Sequence, residues 1–218
     1  MAMESPSAFP VCKFPKIPNE DDIADWTYSK RREMQEIVPG IFLGPYSAAM
    51  KSKLEHLKSQ GITHIVCIRQ NIEANFVKPN FPNDFLYLVL DVADTTTENI
   101  IRYFPQVKAF VDDCVSKGGK VLVHGNAGIS RSAALMIAYI METYGLAYRE
   151  AFLFVQQRRF CINPNEGFTQ QLMEYEPIYL ANYQAKQQIA NMESMGRPNG
   201  GVKRSYEDDM EDGNWQPL

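Results

Sequence analysis

The chain has 218 residues, 45% of them hydrophobic and 22% charged, with a net charge of −4. That is enough for one domain with a sizeable core plus tails, and it excludes the broad basic surface that nucleic acid or an anionic membrane attracts, while leaving room for a local basic pocket. No apolar stretch is long enough to span a bilayer, and the N-terminus, with Pro6, Pro10 and Pro15, lacks the hydrophobic run of a signal peptide.

Residues 1–24 are rich in Pro, Asp and Asn and have no periodicity, which predicts a mobile leader, with order beginning near Trp26 and Tyr28. A short strand is expected between Gly40 and Gly44, then an amphipathic helix over 47–59 closed by Gly61. The β-branched run 62–68 reads as a buried strand, 69–84 as a polar loop, and 86–92 as a further strand. Over 98–116 the apolar residues Ile100, Phe104, Val107, Val111 and Cys114 recur at helical spacing. A strand at 120–124 leads through a glycine-containing loop into a helix over 132–144 that is apolar on nearly every side, and hence central. Helices over 148–158 and 167–183 follow, and residues 185–218 read as a disordered acidic tail ending in Glu207, Asp208, Asp209, Glu211 and Asp212. Alternating strands and helices place the domain, residues 25–184, in the α/β class: a central, twisted, mostly parallel sheet with helices on both faces. Cys12, Cys67, Cys114 and Cys161 form no C-x-x-C pair, and none has a histidine at metal-ligand spacing. They are expected as free thiols of a reduced intracellular protein, Cys67 and Cys114 buried, with no metal and no cofactor.

The segment that carries chemistry runs Val121-Leu-Val-His-Gly-Asn-Ala-Gly-Ile-Ser-Arg-Ser132. A loop of this kind between a strand and a helix can aim successive backbone N–H groups at an anion, and the helix N-terminus adds orphan donors and partial positive charge. Arg131 offers a planar fork that matches two phosphate oxygens. Ser130 and Ser132 can cap the helix or donate to the anion. The competing reading is a plain strand–turn–helix connection with Arg131 in solvent.

The same residues resemble the H-C-x-x-G-x-x-R signature of the cysteine-dependent phosphatases: His124, Gly128 and Arg131 match, and Gly125 stands at the cysteine. Pro39-Gly40-Ile-Phe-Leu-Gly44, Gly61-Ile-Thr-His-Ile65, Arg158-Arg159, Asn163-Pro-Asn165 and Gly167-Phe168 extend the likeness to the dual-specificity phosphatases over about residues 36–180. Trp26-Thr-Tyr28, residues 31–36 and Arg69-Gln-Asn-Ile-Glu-Ala-Asn75 narrow it to a pseudophosphatase branch with glycine at that same place.

The resemblance implies the phosphatase fold, a phosphate-binding loop made of His124, Gly125, Asn126, Ala127, Gly128, Ile129, Ser130, Arg131 and Ser132, and a general-acid position at Asp94. It implies no catalytic residue, because glycine cannot form the covalent phosphoenzyme. The expected function is a non-enzymatic module that holds phosphorylated Ser, Thr or Tyr segments or signalling partners and competes with active phosphatases. Mitogen-activated protein kinases and an F-box ubiquitin-ligase adaptor are the implied partners. The protein is expected as a cytoplasmic and nuclear monomer that contacts neither nucleic acid nor membrane. An active phosphatase with an unusual nucleophile is the alternative.

Overall fold

The computed structural model describes residues 14–18 and 25–195. Five strands form one sheet in the order β1-β2-β5-β3-β4. Strand β1 (Gln35–Val38) turns back through Gly40, at φ 82°, to pair antiparallel with β2 (Ile41–Pro45). The other pairings, among β2, β5 (Lys120–Gly125), β3 (Ile62–Arg69) and β4 (Leu86–Asp91), are parallel. The expected mostly parallel sheet is therefore present. Its carboxyl ends meet at one edge, where Cys67 of β3 lies opposite His124 of β5, and ligand sites of parallel sheets form in such crevices.

Period-two alternation sorts the strand residues into two cores. Val66, Ile68, Val121 and Val123 face four helices: α2 (Phe104–Ser116), α3 (Arg131–Tyr144), α4 (Tyr148–Arg158) and α5 (Glu166–Met195). Residues 131–141 of α3 are all buried, as its uniform hydrophobicity implied. Phe42, Ile65 and Leu122 face the other way, onto Leu57 of α1 (Leu54–Ser59) and the Phe81–Phe85 ring pair. Helices thus cover both faces unevenly, one thickly and one with a single short helix and loops. Burial pushes the Cys67 thiol up to about 12 and also raises that of Cys114, as expected for inert buried thiols.

Several expectations need correction. The helix expected over 47–59 is two 3-10 turns, Tyr46–Ala49 and Lys51–Lys53, followed by α1, because Met50 adopts an extended conformation between them. The helix expected from 98 becomes α-helical only at Phe104, after a 3-10 turn at Ile101–Tyr103. Strand β1 was not anticipated.

The domain boundaries also move. Residues 14–18 belong to the expected leader, yet Ile17 is buried in the main core and the Phe14 ring stacks on Tyr183 at 4.1 Å between centroids. Helix α5 runs on to Met195, past the expected tail boundary at 184/185. Residues 1–13, 19–24 and 196–218, including Cys12 and the acidic run, lie outside the described residues.

Candidate functional site

The loop between β5 and α3 is turned outward by its carbonyls. The Asn126 carbonyl accepts from the Tyr46 N–H at 3.0 Å, and Ile129 from the Asn163 N–H at 2.8 Å. The Ala127 and Gly128 carbonyls accept from Nη2 and Nε of Arg159, at 3.1 and 2.8 Å. The N–H groups of residues 126–130 have no protein acceptor among the described residues and are left to line the concave side. Such an array of inward donors, beside a helix N-terminus, is an anion cradle.

Arg159 is the loop's hidden support. It is fully buried, and it also donates to the carbonyls of Arg31 and Glu33 and to Oε1 of Gln35. One guanidinium therefore fastens the loop to the segment that precedes β1. Gly128 closes the loop at φ 68°, and a Cβ there would run into the backbone of Gly44 and Pro45. Glycine is required at 128 twice over, by conformation and by space.

Arg131 is not at a solvated mouth. It is buried, and its terminal nitrogens grip Glu73, with Nη1 to Oε2 at 2.5 Å and Nη2 to Oε1 at 3.0 Å. Nη1 also donates to the Val92 carbonyl at 3.1 Å. Of five guanidinium hydrogens, that leaves the Nε hydrogen and one on Nη2, on a single edge. Nε lies 3.7 Å from Oδ2 of Asp94. The arginine holds the Glu73 carboxyl below its ordinary range, mainly through their hydrogen bonds.

Asp94 is drawn to the same place. Its Oδ1 accepts from the Ser130 hydroxyl at 2.6 Å and from the Asn165 amide at 2.9 Å. The Asn165 N–H in turn donates to the Ser130 oxygen at 3.2 Å, and Gly167 lets the start of α5 press onto Thr96, where a Cβ would overlap backbone. Ser130 therefore neither caps α3 nor stands free for an anion.

Asp94 and every residue from 125 to 132 line one cavity of about 280 Å³. Eight of the nine expected loop residues are brought together there. The exception is His124, which sits fully buried behind the loop with Nδ1 3.3 Å from the Gly125 carbonyl and Nε2 unpartnered. Burial pushes its pKa down to about 4, so it is a neutral imidazole at physiological pH. Its one hydrogen-bond contact with the loop is that to the Gly125 carbonyl.

Gly125 lies outside the left-handed region, so its backbone does not demand glycine. A Cβ there would meet the Ser132 hydroxyl at 3.3 Å and no backbone atom nearer than the Ile68 carbonyl oxygen at 3.7 Å. The Ser132 hydroxyl itself is buried without a partner, facing the place where a side chain on residue 125 would stand. Among the described residues no cysteine lines the cavity.

Sequence reasoning met Glu73, Asn165 and Arg159 only as members of motifs and gave none of them a role in the site. Glu73 occupies a polar stretch, and its partner is 58 residues away.

Comparison with known proteins gives the family. The family model for "Dual specificity phosphatase, catalytic domain" matches residues 41–178. The chain is 60% identical over 212 residues to Serine/threonine/tyrosine-interacting protein A of Xenopus laevis, and 60% identical over 210 residues to the Homo sapiens Serine/threonine/tyrosine-interacting protein, each alignment covering 94% of both chains. It is 35% identical over 151 residues to Dual specificity protein phosphatase 1B of Arabidopsis thaliana, across 69% of this chain and 86% of that one. The crystal structure of human tyrosine phosphatase-like serine/threonine/tyrosine-interacting protein has a TM-score of 0.68 at 72% identity, over 68% of this chain and 99% of that chain. That of DUSP15 has a TM-score of 0.63 at 33% identity, over 72% and 96%.

Proposed function

The chain belongs to the dual-specificity phosphatase family, and from a family loop built without a nucleophile we propose that it is a pseudophosphatase: a module that binds phosphorylated Ser, Thr or Tyr segments and does not hydrolyse them. The observation that carries this is the loop itself. Its carbonyls from 126 to 129 are all held by outside partners, its N–H groups from 126 to 130 have no acceptor among the described residues, and the sequence resemblance sets Gly125 at the motif's cysteine.

The reaction lacks its first step. In the active family a thiolate attacks phosphorus, the loop and arginine carry the charged oxygens, and an aspartic acid protonates the leaving oxygen. Residue 125 has no side chain, and among the described residues no cysteine lines the cavity. Removing the nucleophile of a covalent enzyme costs about 10⁶ in turnover, or about 8 kcal/mol of barrier.

Binding uses what is left. A dianion would accept from the loop N–H groups, and the free edge of Arg131, held in place by Glu73, would take two of its oxygens. The charge of Arg131 is already matched by Glu73, and Asp94 adds a second carboxylate. Affinity therefore draws on the neutral donors and the α3 terminus together with the charge-assisted fork of Arg131. Gly125 helps by removing the repulsion a thiolate would exert on the phosphate.

In the cell the module would compete with active phosphatases or adaptors for phosphorylated partners. The relatives' names speak of serine/threonine/tyrosine interaction, which fits this ligand class. Mitogen-activated protein kinases and an F-box adaptor are candidate partners by resemblance, and cytoplasm and nucleus the candidate compartments. Among the described residues no helix is long and apolar enough to cross a membrane.

Calorimetric titration with a phosphotyrosine peptide and its unphosphorylated twin tests the reading, beside Arg131→Ala and Arg131→Lys. Only the phosphorylated peptide should bind. Arg131→Ala should weaken it by about 2–4 kcal/mol, and Arg131→Lys, which keeps a cation for Glu73 but loses the fork, should also weaken it. Equal affinity for the two peptides would overturn the proposal.

A further inference from the structure

A second concavity, of about 340 Å³, adjoins the loop cavity and shares Ala127 with it; its walls include Tyr28, Arg31, Arg32 and Ser47. A third, of about 430 Å³, continues from Arg32 past Lys53 and His56 over a floor that includes Met34 and Phe42, with Glu33 also on its wall. Together they make a track that leads away from the loop.

The track is cationic. Arg31, Arg32 and Lys53 are exposed, and among the described residues none pairs with a carboxylate. Three cations without an ion-pair partner among the described residues, with Glu33 the carboxylate on the same walls, stand out against the chain's net charge of −4. The Arg31 guanidinium lies 6.0 Å from the ring centre of Tyr28, which is 76% exposed.

The track is also fixed to the loop. Arg159 donates to the Arg31 and Glu33 carbonyls on one side and to those of Ala127 and Gly128 on the other. A ligand in the loop cavity would therefore meet Arg31 and Arg32 at a set spacing.

The arrangement of the cations selects the ligand. Arg31 and Arg32 follow each other on a 3-10 turn, Tyr28–Arg32, and with three residues per turn their side chains leave the axis about 120° apart. Both border the second concavity, and Arg32 also borders the third, where Lys53 stands, so the cations are spread over two concavities. Cations spread along a groove match carboxylates spread along an extended peptide, which advances about 3.3 Å per residue.

We infer that this track is a subsite for acidic residues next to the phosphorylated residue, so that the ligands are phosphopeptides flanked by Asp and Glu. The inference rests on the reading of the loop as a phosphate cradle.

Four peptides test it against the full chain at low and high salt: phosphorylated and unphosphorylated, each with an acidic or a neutral flank. The variant is Arg31→Ala with Arg32→Ala, and Arg32→Gln serves if the double variant fails to fold. The acidic flank should raise affinity for the wild type about tenfold at low salt, as a few exposed ion pairs allow. The gain should vanish in the variant, while the neutral-flank phosphopeptide binds both equally. Equal affinity of the wild type for acidic and neutral flanks overturns the subsite and leaves the phosphate cradle standing. If neither phosphopeptide binds better than its unphosphorylated twin, the cradle reading fails. The unphosphorylated acidic peptide then decides the subsite alone: salt-sensitive binding lost in the variant supports it, and no binding overturns it.

Discussion

The Glu73 carboxylate holds the guanidinium of Arg131 end-on, at 2.5 and 3.0 Å, and so leaves the arginine's side edge as the part that can meet a ligand. Both groups are nearly buried, with side chains 8% and 13% exposed, and such a pair is costly to break on one side only. Glu73→Gln keeps the shape and one good acceptor but removes a negative charge beside the cavity. It should lower stability by about 1–3 kcal/mol and tighten phosphopeptide binding severalfold. Melting temperature and calorimetry check the two effects. If binding weakens instead, Glu73 matters more for aiming Arg131 than for its charge.

The loop's two glycines should respond oppositely to alanine. At Gly128 a Cβ overlaps the backbone of the neighbouring strand, and φ is positive, so Gly128→Ala should cost about 3 kcal/mol or more. At Gly125 the nearest obstacle is a rotatable hydroxyl at 3.3 Å, and Gly125→Ala should change stability by less than about 1 kcal/mol. Urea denaturation of both variants is the check.

Arg159→Met leaves four backbone carbonyls and a side-chain amide oxygen without their donor. A loss of about 3–5 kcal/mol is expected, together with loss of phosphopeptide binding, because the loop carbonyls are then free to turn inward. Stability lost with binding intact would show that the loop holds its shape without this residue.

His124 sets a pH dependence. Its pKa is about 4 in the fold and about 6.5 when unfolded, so the unfolded chain binds the proton first on acidification. Stability from this residue is complete above pH 6.5 and is lost as pH falls from there towards 4, by about 3 kcal/mol in all. His64, whose pKa burial also lowers, contributes with the same sign. The lowered carboxyl of Glu73 adds a separate loss only below about pH 4.5. Urea midpoints between pH 7.5 and 5 should therefore slope less steeply in His124→Asn than in the wild type; parallel slopes would assign the effect to other groups.

What the sequence revealed of the site was its local part. Residues 125–132 are consecutive, so a strand–loop–helix reading was enough to gather them, and the motif placed Asp94 nearby. The supports come from elsewhere in the chain. Arg159 reads as one of two arginines at a helix end, both of them buried, and nothing local distinguishes the one that buttons the loop from its neighbour. Glu73 and Asn165 are polar residues in polar segments until the fold carries them to Arg131 and Asp94. The misplaced boundaries have the same origin. Phe14 and Ile17 are isolated apolar residues among prolines, and only the fold gives them something to pack against: Tyr179, Tyr183 and Gly145 for Phe14, the main core for Ile17.

The central claim is that the loop is a phosphatase loop lacking one atom group, and turnover of an aryl phosphate by Gly125→Cys tests it most directly. The backbone at 125 accepts a Cβ, the Ser132 hydroxyl stands within reach of the new sulfur, and Asp94 is already at the cavity. His124 is buried and neutral, so activation of the thiol falls to the loop N–H groups and the α3 terminus. The wild type should show no turnover above background, and folded Gly125→Cys should show a measurable rate that Arg131→Ala abolishes. A folded Gly125→Cys protein without activity, or a wild type that turns over at a comparable rate, would contradict the account.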